Sequence, residues 1–528
     1  MSSRRLELGK VWGKMRDRRA VVLAAEWREG LANKGWLSLA GDLASLAAGA
    51  ILPLAFAPFE LAPLAVLSLA ALFYLWDGVS PRRAFLRGWL YGLGMLGTGV
   101  SWVQISIHQF GLPVLAFSVT VTAGFIAFVA LYPGLIGALA NRWFRVSAAA
   151  RFLVVLPALW TLMEWFKGWV LTGFPWLNVG YSQVDTPLAG LAPVVGIYGV
   201  SFAAALSAGL LCAMLRSPSR LGYPAFLSVL WIGALLLGRV PWTEAQATES
   251  LSAALIQGNV AQAMKWVPAE RQATIDRYLG LTASSWGKAD VVVWPETAIP
   301  EFYTETTPYV RILAEQARQT GTEFLLGVPY RDPDGQRYYN AVATIGRHAG
   351  IYRKRHLVPF GEYLPFPALL GRLLDFLDIP MSSFSAGSRD QAPLVVAGVP
   401  VGVSICYEDA FGEEVIEQLP VARLLVNVSN DAWFGDSIAP HQHLEMARMR
   451  ALEGGRFLLR ATNNGISAVI DHRGKVVAQA PQFRPFTLKA RVRARTGATP
   501  YVMFGNSPMV ILAASLLAAA LVFRRMRS

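Results

Sequence analysis

Val401-Gly402-Val403-Ser404-Ile405-Cys406-Tyr407-Glu408-Asp409 is the stretch on which the fold turns. A run rich in β-branched residues ends on a cysteine, an acidic pair suited to a turn follows, and Gly412-Glu413-Glu414-Val415-Ile416-Glu417-Gln418-Leu419 then reads as a helix. Such a strand-to-helix corner presents a thiol at the carboxyl end of a buried strand, where open α/β sheets gather their chemistry. Taken alone, a lone cysteine of this kind is more often a core residue. The rest of the chain decides between the two.

On either side of the corner, residues 245–495 alternate short apolar runs with amphipathic ones. Ala253-Ala254-Leu255-Ile256, Val291-Val292-Val293-Trp294 and Phe324-Leu325-Leu326-Gly327-Val328 read as strands, helices are expected from Pro268 and over 308–320, and hairpins at 346–350 and 471–474. This is an α/β domain of about 250 residues, large enough to bury its own core.

Farther out the chain changes character. Its 528 residues are 54% hydrophobic, with a mean hydropathy of +0.39, too apolar for an ordinary soluble protein. Seven apolar runs lie near 37–57, 62–79, 84–106, 112–140, 152–172, 187–215 and 222–240, and an eighth at 502–523; most approach the ~20 residues a bilayer-crossing helix needs. Arg82, Arg83 and Arg87 follow the second run, Arg142, Arg145 and Arg151 the fourth, Arg216 and Arg220 the sixth, and the segments after the first and third hold no Lys or Arg. With basic residues before the first run, from Arg4 to Arg19, and Arg524-Arg525-Met526-Arg527 after the last, this pattern puts both termini in the cytoplasm and the α/β domain outside it. The expected plan is a basic cytoplasmic extension at 1–35, lacking the small-residue cleavage site of a signal peptide, seven spans within 36–240, the α/β domain at 245–495, an eighth span at 502–523 and a basic tail at 524–528.

The net charge of +13 is largely accounted for by these topological segments, and no nucleic-acid signature accompanies it. Cys212 and Cys406 are the only cysteines, so a disulfide framework is not expected and Cys406 is available as a free thiol. Trp169, Phe174, Trp176 and Tyr181, between spans five and six, suit an interfacial aromatic belt, and Glu164 is spaced to pair with Lys167.

Three reactive side chains each follow a strand-like run: Glu296 after 291–295, Lys354 after 349–353 and Cys406 after 401–405. If those strands are neighbours in one sheet, a carboxylate, an ammonium and a thiol converge at one edge. A thiol is weakly ionised at neutral pH and needs a base to attack an acyl carbon; Glu296 can take its proton and Lys354 can meet the oxyanion. Spacing alone does not separate Lys354 from Arg353, Arg355 or His356, which together would also make an anionic-lipid patch, and Glu296 alone would also suit a solvated strand end. His441-Gln442-His443 lacks the further ligands of a zinc site and reads as a helix start near Pro440. No metal or cofactor is expected.

Trp294-Pro295-Glu296, Lys354 and Ile405-Cys406-Tyr407-Glu408 resemble the Glu-Lys-Cys signature of the nitrilase superfamily, whose fold is an α-β-β-α sandwich. KRHLVPFGEYLP from Lys354, SNDAWFGDS from Ser429, HQHLEMARMRAL from His441, RATNNG from Arg460 and TGFPWLNVGYSQ from Thr172, with the seven-plus-one membrane plan, resemble the apolipoprotein N-acyltransferase family, the membrane-embedded branch, over all but the first 35 residues or so. The resemblance implies transfer of an acyl chain from a phospholipid to the α-amino group of a diacylglyceryl lipoprotein, through an enzyme thioester, at the bacterial cytoplasmic (inner) membrane with the catalytic domain on the periplasmic side. It implies Glu296 as general base, Lys354 as oxyanion partner and Cys406 as nucleophile, with Glu362, Tyr407 and Glu408 supporting the site and Trp266 at its edge. Trp433 and Phe434 are expected to shield the acyl-thioester, or else to be ordinary core aromatics. Two rivals stay open: a membrane-tethered carbon-nitrogen hydrolase with water as acceptor, and a transporter or non-catalytic lipid-binding scaffold; the scarcity of ionisable residues inside the spans counts against the transporter form.

Overall fold

Among the described residues, twelve strands lie between the apolar helices of the first half and a last one at Ser507–Phe523. They are β1 (Glu244–Gln257), β2 (Val291–Trp294), β3 (Glu323–Arg331), β4 (Tyr338–Ile345), β5 (Ile351–Arg353), β6 (Leu394–Val396), β7 (Val399–Ile405), β8 (Leu424–Ser429), β9 (Leu458–Thr462), β10 (Ala468–Ile470), β11 (Val476–Gln479) and β12 (Phe486–Thr496). The computed structural model describes residues 37–111, 113–217, 221–304, 307–365 and 383–525. The extension expected at 1–35 and the end of the basic tail, 526–528, lie outside these.

The strands form two six-stranded sheets, ordered β12-β1-β2-β3-β4-β5 and β11-β10-β9-β8-β7-β6. Side chains alternate across a strand, and β1 shows the consequence. Leu251, Ala253 and Leu255 point between the sheets, into a core shared with Val401, Val403, Val426 and Leu459. Ala254 and Ile256 point outward, onto Ile275 and Tyr278 of the helix Arg271–Ala283. The other sheet turns Leu425, Leu458 and Ile470 outward onto Leu444, Ala447 and Ala451 of the helix Ala439–Gly454. The layers are helix, sheet, sheet, helix.

Strand direction brings the reactive residues to one edge. β2 runs parallel to β3, while β4 is antiparallel to β3 and β5 antiparallel to β4. β5 therefore runs with β2, and Glu296 and Lys354, each just past the end of its strand, emerge at the same edge. β7 lies in the other sheet, so the three strands are not neighbours in one sheet as expected; it pairs in parallel with β8 and delivers Cys406 from across the sandwich, at its own carboxyl end.

Among the described residues, four helices are long and apolar enough to cross a membrane: Leu37–Ala55, Leu115–Trp143, Ala148–Lys167 and Pro187–Arg216. Shorter apolar helices, Pro63–Leu75, Gly222–Leu237 and Ser507–Phe523, fall on three more of the expected spans. Three expected boundaries change. The run at 84–106 is broken: a helix ends at Gly99 and another, Val103–Phe110, follows. The run at 152–172 stops being helical at Lys167, and Leu171, Thr172 and Gly173 take φ of 53°, 73° and 81°. The last helix begins at Ser507, after Gly505 with φ of 59°. In the second case the apolar residues that continue the run, Trp176, Leu177 and Val179 among them, are buried in protein, and hydropathy does not distinguish that burial from lipid.

The helix Ala439–Gly454 belongs to both halves of the molecule. Its Met446, Met449 and Leu452 join the core of the membrane helices. Glu445 Oε1 accepts the Ala57 N–H at 3.2 Å and Glu453 Oε1 the Ile197 N–H at 2.7 Å. The second bond closes a break in the Pro187–Arg216 helix at Gly196, where φ is 63° and an added Cβ would stand 2.2 Å from the Tyr501 ring. Gln442 accepts from Trp176 Nε1 at 2.7 Å and donates to the Gly99 carbonyl at 3.1 Å.

Candidate active site

Cys406 occupies the first position of a short 3₁₀ turn, Cys406–Ala410, directly after β7. Its φ is 51°, a left-handed conformation that costs a non-glycine residue about 1–3 kcal/mol and persists only where surrounding contacts enforce it. Glu408 supplies such contacts. Its Oε2 accepts the Ile405 N–H at 2.7 Å, its Oε1 accepts the Arg355 N–H at 2.7 Å, and Tyr352 donates to it at 3.1 Å. The same carboxylate thus ties the cysteine turn to the segment carrying Lys354. Burial pushes Glu408 up to about 7, against the opposing pull of those N–H groups and of Lys354.

Lys354 is 1% exposed and lies between two carboxylates. Its Nζ is 2.8 Å from Glu362 and 3.6 Å from Glu296 Oε1. Burial alone would discourage the ammonium, but Glu362 and Glu296 outweigh it and hold Lys354 above the ordinary lysine range. Asn340, on β4, binds both carboxylates, donating from Nδ2 to Glu296 at 2.6 Å and to Glu362 at 3.0 Å. Its backbone carbonyl also accepts the Lys354 N–H at 2.8 Å. Glu362 Oε2 accepts the Val358 N–H at 2.8 Å, which fixes its own loop.

Glu296 and Lys354 both act on the thiol. Burial is the largest influence on Cys406 and pushes it well above the ordinary thiol range; Glu296 pushes the same way and Lys354 opposes it. The resting sulfur is therefore protonated at neutral pH and needs a base at the moment of attack. Iodoacetamide is accordingly expected to alkylate Cys406 far more slowly than an exposed thiol at pH 7–8, with the rate climbing only above pH 9. Rapid labelling at pH 7, mapped to Cys406 by peptide mass, would contradict this.

A second buried ammonium borders the site. Lys265 Nζ donates to the Glu296 carbonyl at 3.1 Å, and burial pushes it down to about 8 despite the opposing effect of Glu296 and Cys406. Trp266 follows it at half-burial, and Gln262, on the same short helix, accepts from Asn430 at 2.7 Å. Gly327, on β3, fixes the height of Glu296, because a Cβ there would stand 2.1 Å from the Pro295 carbonyl oxygen and 2.8 Å from the Glu296 Cα. Gly327→Ala is expected to cost about 1–3 kcal/mol by overpacking and to slow turnover more than that loss of stability explains, read from unfolding midpoint and rate on one preparation.

The membrane helices complete the surround. Tyr407 donates to the Gly173 carbonyl at 2.9 Å, and its ring stacks on Trp176 with centroids 6.3 Å apart. His356 Nε2 lies 2.9 Å from the Thr172 carbonyl while its ring stacks on Phe411. Trp176 and Tyr181 therefore pack on protein, whereas Trp169 is 52% exposed and keeps a position suited to an interfacial belt. Glu164 accepts the Val179 N–H at 2.8 Å and Lys167 donates to the Trp176 carbonyl at 2.7 Å, so both brace the loop where sequence spacing suggested a pair. Trp433 and Phe434 are half-buried against the segment after the broken third run, Trp433 on Phe110 with ring centroids 4.5 Å apart and Phe434 on Trp102 at 4.8 Å.

Glu296, Lys354, Cys406, Glu362, Tyr407 and Glu408 are thus brought together. Asn340 and Lys265 were not anticipated, although an asparagine inside the apolar strand Tyr339-Asn340-Ala341-Val342 is a signal of its own. The helix expected to start near Pro440 does start there, at Ala439, and its His443 is buried beneath the cysteine turn. Among the described residues, no group of three or more His, Cys, Asp or Glu could hold a metal ion.

Residues 48–210 match the family model described as apolipoprotein N-acyltransferase N-terminal domain, and residues 252–501 match that for carbon-nitrogen hydrolase. The chain is similar to the apolipoprotein N-acyltransferase of Methylococcus capsulatus, 45% identical over 92% of this chain and 96% of that one. The protein of the same name from Nitrosomonas europaea is 44% identical over 90% and 96%, and that from Vibrio cholerae 42% over 92% and 97%.

Proposed function

Because the chain belongs to the apolipoprotein N-acyltransferase family, it is an acyltransferase of lipoprotein maturation, and we propose that it works by ping-pong transfer through a thioester on Cys406. Glu296 takes the thiol proton as Sγ attacks the ester carbonyl of a phospholipid. The oxyanion is met by the Lys354 ammonium, held ready by Glu362. Collapse expels the lysophospholipid alkoxide, which takes the proton back from Glu296. The α-amino group of a diacylglyceryl-cysteine then attacks the thioester, Glu296 accepts its proton, and collapse returns a protonated Cys406 and an amide. The observation that carries this reading is the meeting of Glu296 and Lys354, from one sheet, with Cys406, from the other, at the carboxyl ends of β2, β5 and β7, under a loop supplied by the membrane helices.

The same reading gives eight spans, both termini in the cytoplasm and the sandwich on the periplasmic face of the bacterial inner membrane. Alternating basic segments support it, as does the need of an enzyme with two lipid substrates to hold its thiol at the interface. The test is a burst experiment. Purified enzyme given phospholipid alone is expected to release one equivalent of lysophospholipid and stop, then turn over when a diacylglyceryl-cysteine peptide is added. Steady release of free fatty acid without acceptor would favour the hydrolase.

Trp433 and Phe434 are assigned to exclude water from the thioester. Trp433→Ala with Phe434→Ala is expected to leave the burst intact while diverting much of the acyl chain to free fatty acid. Unchanged partition between amide and acid in both half-reactions would remove this role.

A further inference from the structure

Beneath the Cys406 turn lie charged side chains that acyl transfer as written does not use. Asp409, Asp431, His443 and Arg460 are each 1% exposed or less, and they come from four elements: the turn after β7, the loop after β8, the helix Ala439–Gly454 and β9. Arg460 donates from one nitrogen to Asp409 at 2.9 Å and to Asn427 Oδ1 at 2.7 Å, and from the other to Asp431 at 3.2 Å. Mutual pairing is what allows such charges to be buried. It does not explain why the imidazole also reaches the nucleophile.

His443 Nε2 stands 2.8 Å from Asp409 Oδ1 and 3.2 Å from the backbone carbonyl of Cys406. A carbonyl oxygen cannot donate, and Asp409 is paired with Arg460 as a carboxylate, so Nε2 must carry the hydrogen. That holds whether or not the other nitrogen is protonated. Nδ1 faces an acceptor, Asp431 Oδ1 at 3.0 Å, and a donor, Arg460 at 2.8 Å, so its own state is left open by the geometry. The further donor near the Cys406 carbonyl, Asn427 Nδ2, is more distant at 3.4 Å. Cys406 is the residue with φ of 51°, whose carbonyl orientation sets the turn that aims the thiol and its neighbouring N–H groups.

We propose that His443 is a positioning residue for the nucleophile: its Nε2–H, oriented by Asp409, holds the Cys406 carbonyl and so fixes the left-handed turn that points Sγ at the acyl donor. Through Asp431, which opens the turn Asp431–Phe434, the same imidazole links the nucleophile to the aromatic cover. The assignment rests on Cys406 being the acylated residue.

Two variants separate positioning from general support. His443→Gln places an amide N–H near the site of Nε2, and His443→Asn reaches only the site of Nδ1. At saturating phospholipid, single-turnover acylation followed by intact mass is expected to stay within about threefold of wild type for Gln and to fall about 100-fold for Asn, the scale of a 1 Å misplacement, with KM for phospholipid unchanged. A wild-type rate in the Asn variant, or equal slowing of both in step with their unfolding midpoints, overturns the proposal. Where neither variant folds, the ring-¹⁵N spectrum of wild-type enzyme decides: among its six histidines, one must keep a solvent-protected Nε2–H from pH 5 to 9 and shift when Cys406 is acylated, and its absence is refutation. Wild-type enzyme in the same preparation must first show the adduct on Cys406; if it does not, the thioester reading fails rather than this one.

Discussion

Cys406→Ser enzyme incubated with phospholipid is expected to gain no mass, whereas wild-type protein gains one acyl chain and loses it again to a diacylglyceryl-cysteine peptide. The substitution is close to isosteric, so stability should change by less than about 1 kcal/mol and the lipid-binding surfaces should survive. What disappears is the nucleophile's chemistry. A buried thiol already pushed above its ordinary range by its surroundings and by Glu296 sits near the limit of what a carboxylate base can deprotonate, and a hydroxyl lies far beyond it. Intact-protein mass spectrometry of both proteins reads the result directly. An adduct on the serine variant, or none on folded wild-type enzyme with lipid bound, would end the thioester mechanism.

The second large effect is expected from Lys354→Met, and it has two parts. Loss of an oxyanion partner costs about 10²–10³ in rate, seen as slower lysophospholipid release. In addition, the variant leaves Glu296 and Glu362 facing each other in a buried site that Lys354 now neutralises at 3.6 and 2.8 Å. Removing one partner from a buried ionic cluster costs about 3–5 kcal/mol. Thermal unfolding in detergent measures that loss. A variant as stable as wild type would mean that Lys354 does not offset the two carboxylates it contacts.

Much of this site was legible because its members stand at strand ends, and strand ends are what β-branched runs in a sequence reveal. Val401 to Ile405 located Cys406, and Val291 to Trp294 located Glu296. Lys354 was found only by resemblance, since Arg353, Arg355 and His356 share its charge and neighbourhood; its distinction, contact with Glu362 and Glu296, is tertiary. Asn340 and Arg460 were missed for a related reason. Each is a polar residue inside an apolar strand, which shows that a buried partner must exist without saying which. The apolar helices were legible in approximate position and less so at their ends. Where Leu171, Thr172 and Gly173 leave the helix, the residues that follow stay apolar because they pack on Tyr407 and Gln442.

The helix Ala439–Gly454 finally bears on modularity. Two domain families meet in this chain, and their boundary invites the idea of a portable catalytic module on an exchangeable anchor. Glu445 and Glu453 argue otherwise. Each is a buried carboxylate that accepts a main-chain N–H of the membrane half, from Ala57 and Ile197. Severed from that half, both would lose those donors on a face meant for burial, while the broken helix at Gly196 would lose its closure. A graft onto a foreign anchor would have to supply its own donors at both positions, above all at Glu445, since Glu453 keeps Arg450 at 3.1 Å on its own helix.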